Sequence, residues 1–174
     1  MHGVVKVASL STAKKARRKF DAVLTVEDPG MRNGLRFHSS PHPDHLVLMF
    51  EDVDDPCEGI AMPHERHVEA ALEFGREHAA GSLLVHCKAG VARSAALALG
   101  ILADRAGPGR ERESVAALLA VRPVAIPNLI VLSMADALLG RGGDLVSAWA
   151  EVEASDQKYA SHRALKRQVM ERNP

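Results

Sequence analysis

Aromatic residues are nearly absent, with one Trp, one Tyr and four Phe in 174 residues, so the core must be built from Ala, Val and Leu. Cysteine is as scarce, at Cys57 and Cys87 only. Two thiols cannot make a disulfide scaffold, and neither stands in a spacing suited to structural zinc. There is no excess of charge, since 22 basic residues balance 22 acidic ones. No global field therefore draws nucleic acid or a membrane surface. No apolar run reaches transmembrane length, and no basic start leads into the apolar stretch of a secretory signal. The expectation is a single soluble, cytoplasmic chain of domain size with reduced thiols and neither a nucleic-acid nor a membrane partner.

What is present is an alternation of strand and helix patterns. Val4 to Val7 reads as a strand, and Ser11 to Phe20 as a basic helix capped by Ser11 or Thr12. Residues 22–26 and 46–50 are short apolar runs suited to buried strands. Asp28, Pro29 and Gly30 make a turn, and residues 38–45 form a proline-rich surface loop. His38, His42 and His45 in that loop lack helical ligand spacing and read as solvated side chains rather than metal ligands. Val68, Ala71, Leu72 and Gly75 mark an amphipathic helix with Pro63 in its first turn and Gly81 past its end.

Leu83-Leu84-Val85 is a further buried strand, followed by helix patterns over 94–104 and 113–121, the latter with Val115, Leu118 and Leu119 inward. Asn128 is placed to cap a helix running to Leu139, which the glycine-rich residues 140–143 end. The pattern predicts an α/β fold, with a mostly parallel sheet of four to five strands and helices on both faces. The main domain is expected over 1–143. A C-terminal helical, partly exposed tail follows over 144–174, with Leu145, Trp149 and Val152 docking one helix and the polar remainder solvated.

Residues 82–94, Ser-Leu-Leu-Val-His-Cys-Lys-Ala-Gly-Val-Ala-Arg-Ser, carry the chemistry. A buried strand runs into a tight loop that opens a helix. Loop amides and the first helical amides converge on one point, where the helix dipole adds partial positive charge. Cys87 lies at the base of this cradle, where such surroundings favour the nucleophilic thiolate. Arg93 can grip two phosphate oxygens as a planar fork. Gly90 supplies backbone freedom, and Lys88, Ala89, Gly90, Val91, Ala92 and Arg93 supply the amides. Phosphomonoester cleavage needs a nucleophile, charge neutralisation and a proton donor, and the first two are here.

The stretch resembles the signature of the cysteine-dependent protein tyrosine and dual-specificity phosphatases, His-Cys-x-x-Gly-x-x-Arg followed by Ser or Thr. It is matched at His86, Cys87, Gly90, Arg93 and Ser94. The family carries an acid aspartate on a mobile loop upstream of the cysteine, just after a strand. Asp52, Asp54 and Asp55 stand 35, 33 and 32 residues before Cys87. Phe50-Glu51-Asp52 resembles the Phe-Glu-Asp of some 3-phosphoinositide phosphatases, which favours Asp52, with Asp54 and Asp55 as alternatives. Downstream, residues 121–128 resemble the family's arginine-to-Pro-Asn segment, in which Asn128 either braces the loop or only caps a helix.

The resemblance implies a phosphocysteine mechanism without metal or organic cofactor, in which Ser94 stabilises the departing thiolate and His86 orients the loop. Lys88 either lines the pocket rim or is simply exposed, and Cys57 either forms a protective disulfide with Cys87 or is incidental. No Trp-Pro-Asp acid loop is present, so the compact dual-specificity type is implied, with Ala92 where many relatives have Ser or Gly. The substrate is then a phosphorylated protein or a small phosphomonoester. A phosphoinositide or other small-molecule phosphatase, a non-catalytic phosphate-binding module and a rhodanese-type sulfurtransferase remain as alternatives, and nothing in the sequence sets an oligomeric state.

Overall fold

Four parallel strands form the centre of the protein, in the order β1-β4-β2-β3. The structure, a computed structural model, describes residues 3–56 and 58–172. The strands are β1 (Val5–Ser9), β2 (Ala22–Glu27), β3 (His45–Met49) and β4 (Leu83–Cys87). The helices are α1 (Leu10–Ala16), α2 (Glu65–Glu77), α3 (Arg93–Ala106), α4 (Glu111–Val121), α5 (Leu129–Leu138), α6 (Asp144–Ser155) and α7 (Gln157–Arg172). The two inner strands, β4 and β2, are buried along their whole length, as unbroken apolar runs require when both faces are covered.

Side-chain alternation divides the sheet between two cores. Val5, Val7, Leu24, Val26, Leu83 and Val85 face the larger one, which includes residues of α2 to α7. Ala8, Val23 and Leu84 face the smaller one, closed by Ala13 of α1 and by Leu35. Small residues substitute for the missing aromatics by letting helices approach. A Cβ on Gly75 of α2 would stand 2.9 Å from the Ile101 side chain of α3.

Three local expectations are corrected. β1 runs directly into α1, so the cap is Ser9, whose hydroxyl accepts the Thr12 N–H, and neither Ser11 nor Thr12 caps. Helix α1 stops at Ala16 and tightens into a 3-10 turn over Arg17–Lys19. Pro63 precedes α2 instead of occupying its first turn, because His64 is the cap.

From Asp144 the chain forms two helices. The Asp136 carboxylate accepts the N–H groups of Gly143, Leu145 and Val146, placing negative charge at the start of α6. Leu145 and Trp149 are fully buried, Val152 packs beside them, and Tyr159 of α7 meets Trp149 edge-on at 5.5 Å. Most of α7 is exposed, yet Arg163 is buried and donates from Nη2 to the Pro127 carbonyl at 2.9 Å and to Glu153 at 3.0 Å. The solvated remainder expected of the tail is thus corrected at Tyr159 and Arg163. Among the described residues no helix is long and apolar enough to cross a membrane.

Candidate active site

β4 lies between β1 and β2, so Cys87 ends the strand at the middle of the sheet's carboxyl edge, where open parallel sheets bind ligands. The loop from Lys88 to Ala92 then turns its carbonyls outward. Lys88 O accepts from Leu10 N, Ala89 O and Gly90 O accept from the Arg122 guanidinium at 3.1 and 2.8 Å, Val91 O accepts from Ile126 N, and Ala92 O accepts from Asn128 N. With every one of these carbonyls tied to the surrounding scaffold and the Gly90 N–H directed to Cys87 Sγ, the loop forms a cradle over Cys87 with the outward carbonyls that an anion-binding nest requires.

Gly90 allows the turn, since its φ is +69° and a Cβ there would stand 2.3 Å from Ala8 O. Gly90→Ala is expected to lose about 1–2 kcal/mol from backbone handedness alone. Inorganic phosphate is expected to raise the melting temperature of the parent but not of this variant; an alanine variant still protected by phosphate would contradict this geometry.

Cys87 is buried at the base of the cradle. Its Sγ accepts the Gly90 N–H at 3.2 Å and lies 3.1 Å from Ser94 Oγ, so two hydrogen-bonding groups meet one sulfur. Cys57 lies outside the described residues. Arg93 opens α3 and is 3% exposed. Its Nη1 donates to Phe50 O and pairs with Asp28, each at 2.6 Å, while Nε is buried without a partner among the described residues. A buried, unpaired guanidinium N–H beside an amide cradle suits an anion that both would hold. Among the described residues no group of three or more His, Cys, Asp or Glu converges as a metal site.

His86 points to the smaller core, where the Thr25 hydroxyl stands 2.7 Å from Nε2 of both His86 and His45. His86 Nδ1 lies 3.4 Å from Cys87 O, so Nδ1 carries the proton and Nε2 accepts from Thr25. The loop histidines are therefore structural, not solvated. His45 sits in β3 against Thr25, and His42 is buried between Phe20 O and Asp44 O. His38 binds Arg17.

Burial pushes His86 and His45 down to about 4 from an ordinary 6.5. The unfolded chain then takes up protons that the folded one refuses, so stability is full above pH 6.5 and falls as pH drops toward 4. For His86 the loss approaches about 3 kcal/mol. Urea titrations between pH 7 and 4.5 should show a slope that His86→Gln reduces by about one proton's worth. An unchanged slope would contradict the assignment.

The three aspartates after β3 have different surroundings. Asp52 alone of the three lines the cavity over Cys87, and its Oδ1 accepts from Asn128 Nδ2 at 2.9 Å and from Lys166 Nζ at 2.7 Å. The Asp54 side chain is only 4% exposed and is paired with Arg163 and Lys166. Burial opposes its charge, but the Lys166 ammonium and the Leu129 N–H outweigh that and hold the carboxyl below its usual range. Asp55 is exposed and pairs with Arg167. Glu51, beside them, is raised by burial and by the neighbouring Asp28 carboxylate. Asn128 caps α5 through Val131 N, donates to Asp52 and to Val53 O, and reaches the loop through its own N–H on Ala92 O. One residue thus joins the cradle, the acidic loop and a helix start.

The cavity holds about 390 Å³, with Cys87, Lys88, Ala89, Val91, Ala92 and Arg93 on one side and Asp28, Asp52, His162, Leu165 and Lys166 around it. Lys88 is exposed at its rim. Arg122, the arginine of the segment that resembles the family's arginine-to-Pro-Asn stretch, does pack against the loop; sequence reasoning missed Asp28 and the three residues of α7. Asp28 follows β2, the neighbour of β4, so strand order was the signal available for it. For α7 the signal was charge: Arg163, Lys166 and Arg167 share one helix face by spacing and complement the acidic residues 52–55.

The sequence matches no family model and no curated protein. Solved structures do match. Tk-PTP in its active form is 20% identical with a TM-score of 0.57, covering 80% of this chain and 93% of its own. Human DUSP28 is 22% identical with a TM-score of 0.53, covering 87% and 95%. PTPMT1 in complex with PI(5)P is 15% identical with a TM-score of 0.53, covering 80% and 94%. At such identities the likeness concerns the fold, and the chain has the fold of the cysteine-dependent dual-specificity phosphatases.

Proposed function

We propose that the chain is a cysteine-dependent phosphomonoesterase of the protein tyrosine/dual-specificity type, acting on a phosphorylated protein or a small phosphomonoester. The observation that carries this reading is the cradle over Cys87. Its carbonyls are tied outward, its sulfur meets Gly90 N–H and Ser94 Oγ, and Arg93 Nε is buried with no partner among the described residues.

In the first step the Cys87 thiolate attacks phosphorus, the S–P bond forms and the P–O bond to the leaving group breaks. Asp52 gives its proton to the departing oxygen. Water then attacks the phosphocysteine, Asp52 takes a proton from it, and the S–P bond breaks. The Ser94 hydroxyl, 3.1 Å from Sγ, stabilises the thiolate that returns. Arg93 and the loop amides hold the equatorial oxygens, over which the charge of the transition state is spread. Asp52 is preferred over Asp54 and Asp55 because it alone of the three lines the cavity over Cys87.

Turnover of p-nitrophenyl phosphate with release of phosphate tests the reading. A chain that binds inorganic phosphate but releases no nitrophenol would be a phosphate-binding module instead. A phosphoinositide substrate is the second reading, supported by the PI(5)P bound to the neighbour PTPMT1. Comparing kcat/KM for a phosphotyrosyl peptide and a water-soluble phosphoinositide separates the two.

A further inference from the structure

The last helix reaches the candidate acid through a set of ion pairs. Arg163, Lys166 and Arg167 lie three and four residues apart, so they share one face of α7. Arg163 contacts Asp54 at 3.3 Å, Lys166 contacts Asp52 at 2.7 Å and Asp54 at 2.9 Å, and Arg167 contacts Asp55 at 3.2 Å. Arg163 and Tyr159 are buried, so α7 is seated against the body of the protein by packing as well as by charge. Lys166 is itself mostly covered, with 16% of its side chain exposed. This is not a surface ion pair of negligible weight.

The geometry at Asp52 is one-sided. Both of its side-chain polar contacts among the described residues, Asn128 Nδ2 and Lys166 Nζ, fall on Oδ1. An oxygen that accepts from an amide and an ammonium cannot also carry the acidic proton without losing one of them. The proton therefore belongs on Oδ2. When Asp52 gives it up, negative charge develops on a carboxylate whose other oxygen already meets the ammonium, so the attraction is strongest where the charge appears.

We propose that Lys166 is a positioning residue for the general acid. It orients Asp52 through Oδ1, leaves Oδ2 to protonate the leaving group, and makes the C-terminal helix part of the catalytic arrangement. This rests on the reading of Asp52 as the acid.

The test compares kcat/KM, which covers the steps up to phosphocysteine formation, on two substrates. p-Nitrophenyl phosphate has a leaving group that departs with little protonation, whereas phenyl phosphate needs the acid. Lys166→Met keeps the stem and removes the ammonium. It should lower kcat/KM on phenyl phosphate about tenfold more than on p-nitrophenyl phosphate, a fraction of the 10²–10⁴-fold that general acids contribute. Inhibition by inorganic phosphate should stay within about twofold, since the cradle is untouched. Lys166→Arg should recover part of the loss on phenyl phosphate.

A folding defect would lower both substrates alike, so the ratio isolates the positioning role. Equal losses on both substrates, or weakened phosphate inhibition, would overturn the proposal. Asp52→Asn run beside it separates the two layers. If Asp52→Asn discriminates between the substrates and Lys166→Met does not, the role of Lys166 alone falls. If Asp52→Asn does not discriminate either, the acid assignment fails and the proposal falls with it.

Discussion

Cys87→Ser should leave a folded protein that still binds inorganic phosphate and hydrolyses p-nitrophenyl phosphate more slowly by on the order of 10⁴-fold or more. The substitution exchanges one atom in a buried position at the end of a central strand. The carbonyl ties from Leu10, Arg122, Ile126 and Asn128 do not involve the side chain of residue 87, so the cradle survives. What is lost is a soft, ionisable nucleophile. A serine hydroxyl there has no histidine base beside it among the described residues, since His86 turns away against Thr25. Melting curves with and without phosphate check the fold, and initial rates check the chemistry. A serine variant that keeps full activity would remove Cys87 from the mechanism.

Arg93→Lys is the second large effect, expected at about 10³-fold or more in kcat/KM although the formal charge is kept. Arg93 performs two tasks with different parts of one plane. Nη1 is anchored to Phe50 O and Asp28, which fixes the guanidinium, and the buried Nε remains for the ligand. A lysine ammonium is a point charge that cannot hold the anchor and the phosphate at the same time. It would settle on Asp28, whose side chain is 26% exposed and lies on the cavity wall. Phosphate affinity should therefore fall together with kcat. Isothermal titration with inorganic phosphate and steady-state kinetics measure the two; a lysine variant with near-parental values would show that the fork is dispensable.

The cradle was legible in the sequence because its parts are local. Strand, loop, glycine and helix lie within residues 82–106, although the ties that hold the loop come from Leu10, Arg122, Ile126 and Asn128. The acidic loop was legible as a choice among three aspartates and no further. Choosing among them takes Lys166, Arg163 and Asn128, residues 73 or more positions downstream of Asp55. The last helix was the least legible, because an apolar pattern is what sequence periodicity detects and α7 is held largely by charge. Its buried Arg163 looks like any solvated arginine until Glu153, Asp54 and Pro127 surround it. The histidines at 38, 42 and 45 misled for a related reason: a proline-rich segment reads as solvated, but its side chains here bind backbone and Thr25. The Ser9 cap was hidden because it is also the last residue of β1.

In the proposed mechanism phosphate passes through the sulfur of Cys87. Rapid mixing with p-nitrophenyl phosphate, acid quenching within the first turnovers and mass analysis of the peptide containing residue 87 test it directly. One phosphoryl group is expected on Cys87, formed with a burst of nitrophenol and absent from Cys87→Ser. Nitrophenol release with no phosphorylated peptide and no burst, or a phosphoryl group on another residue, would contradict it.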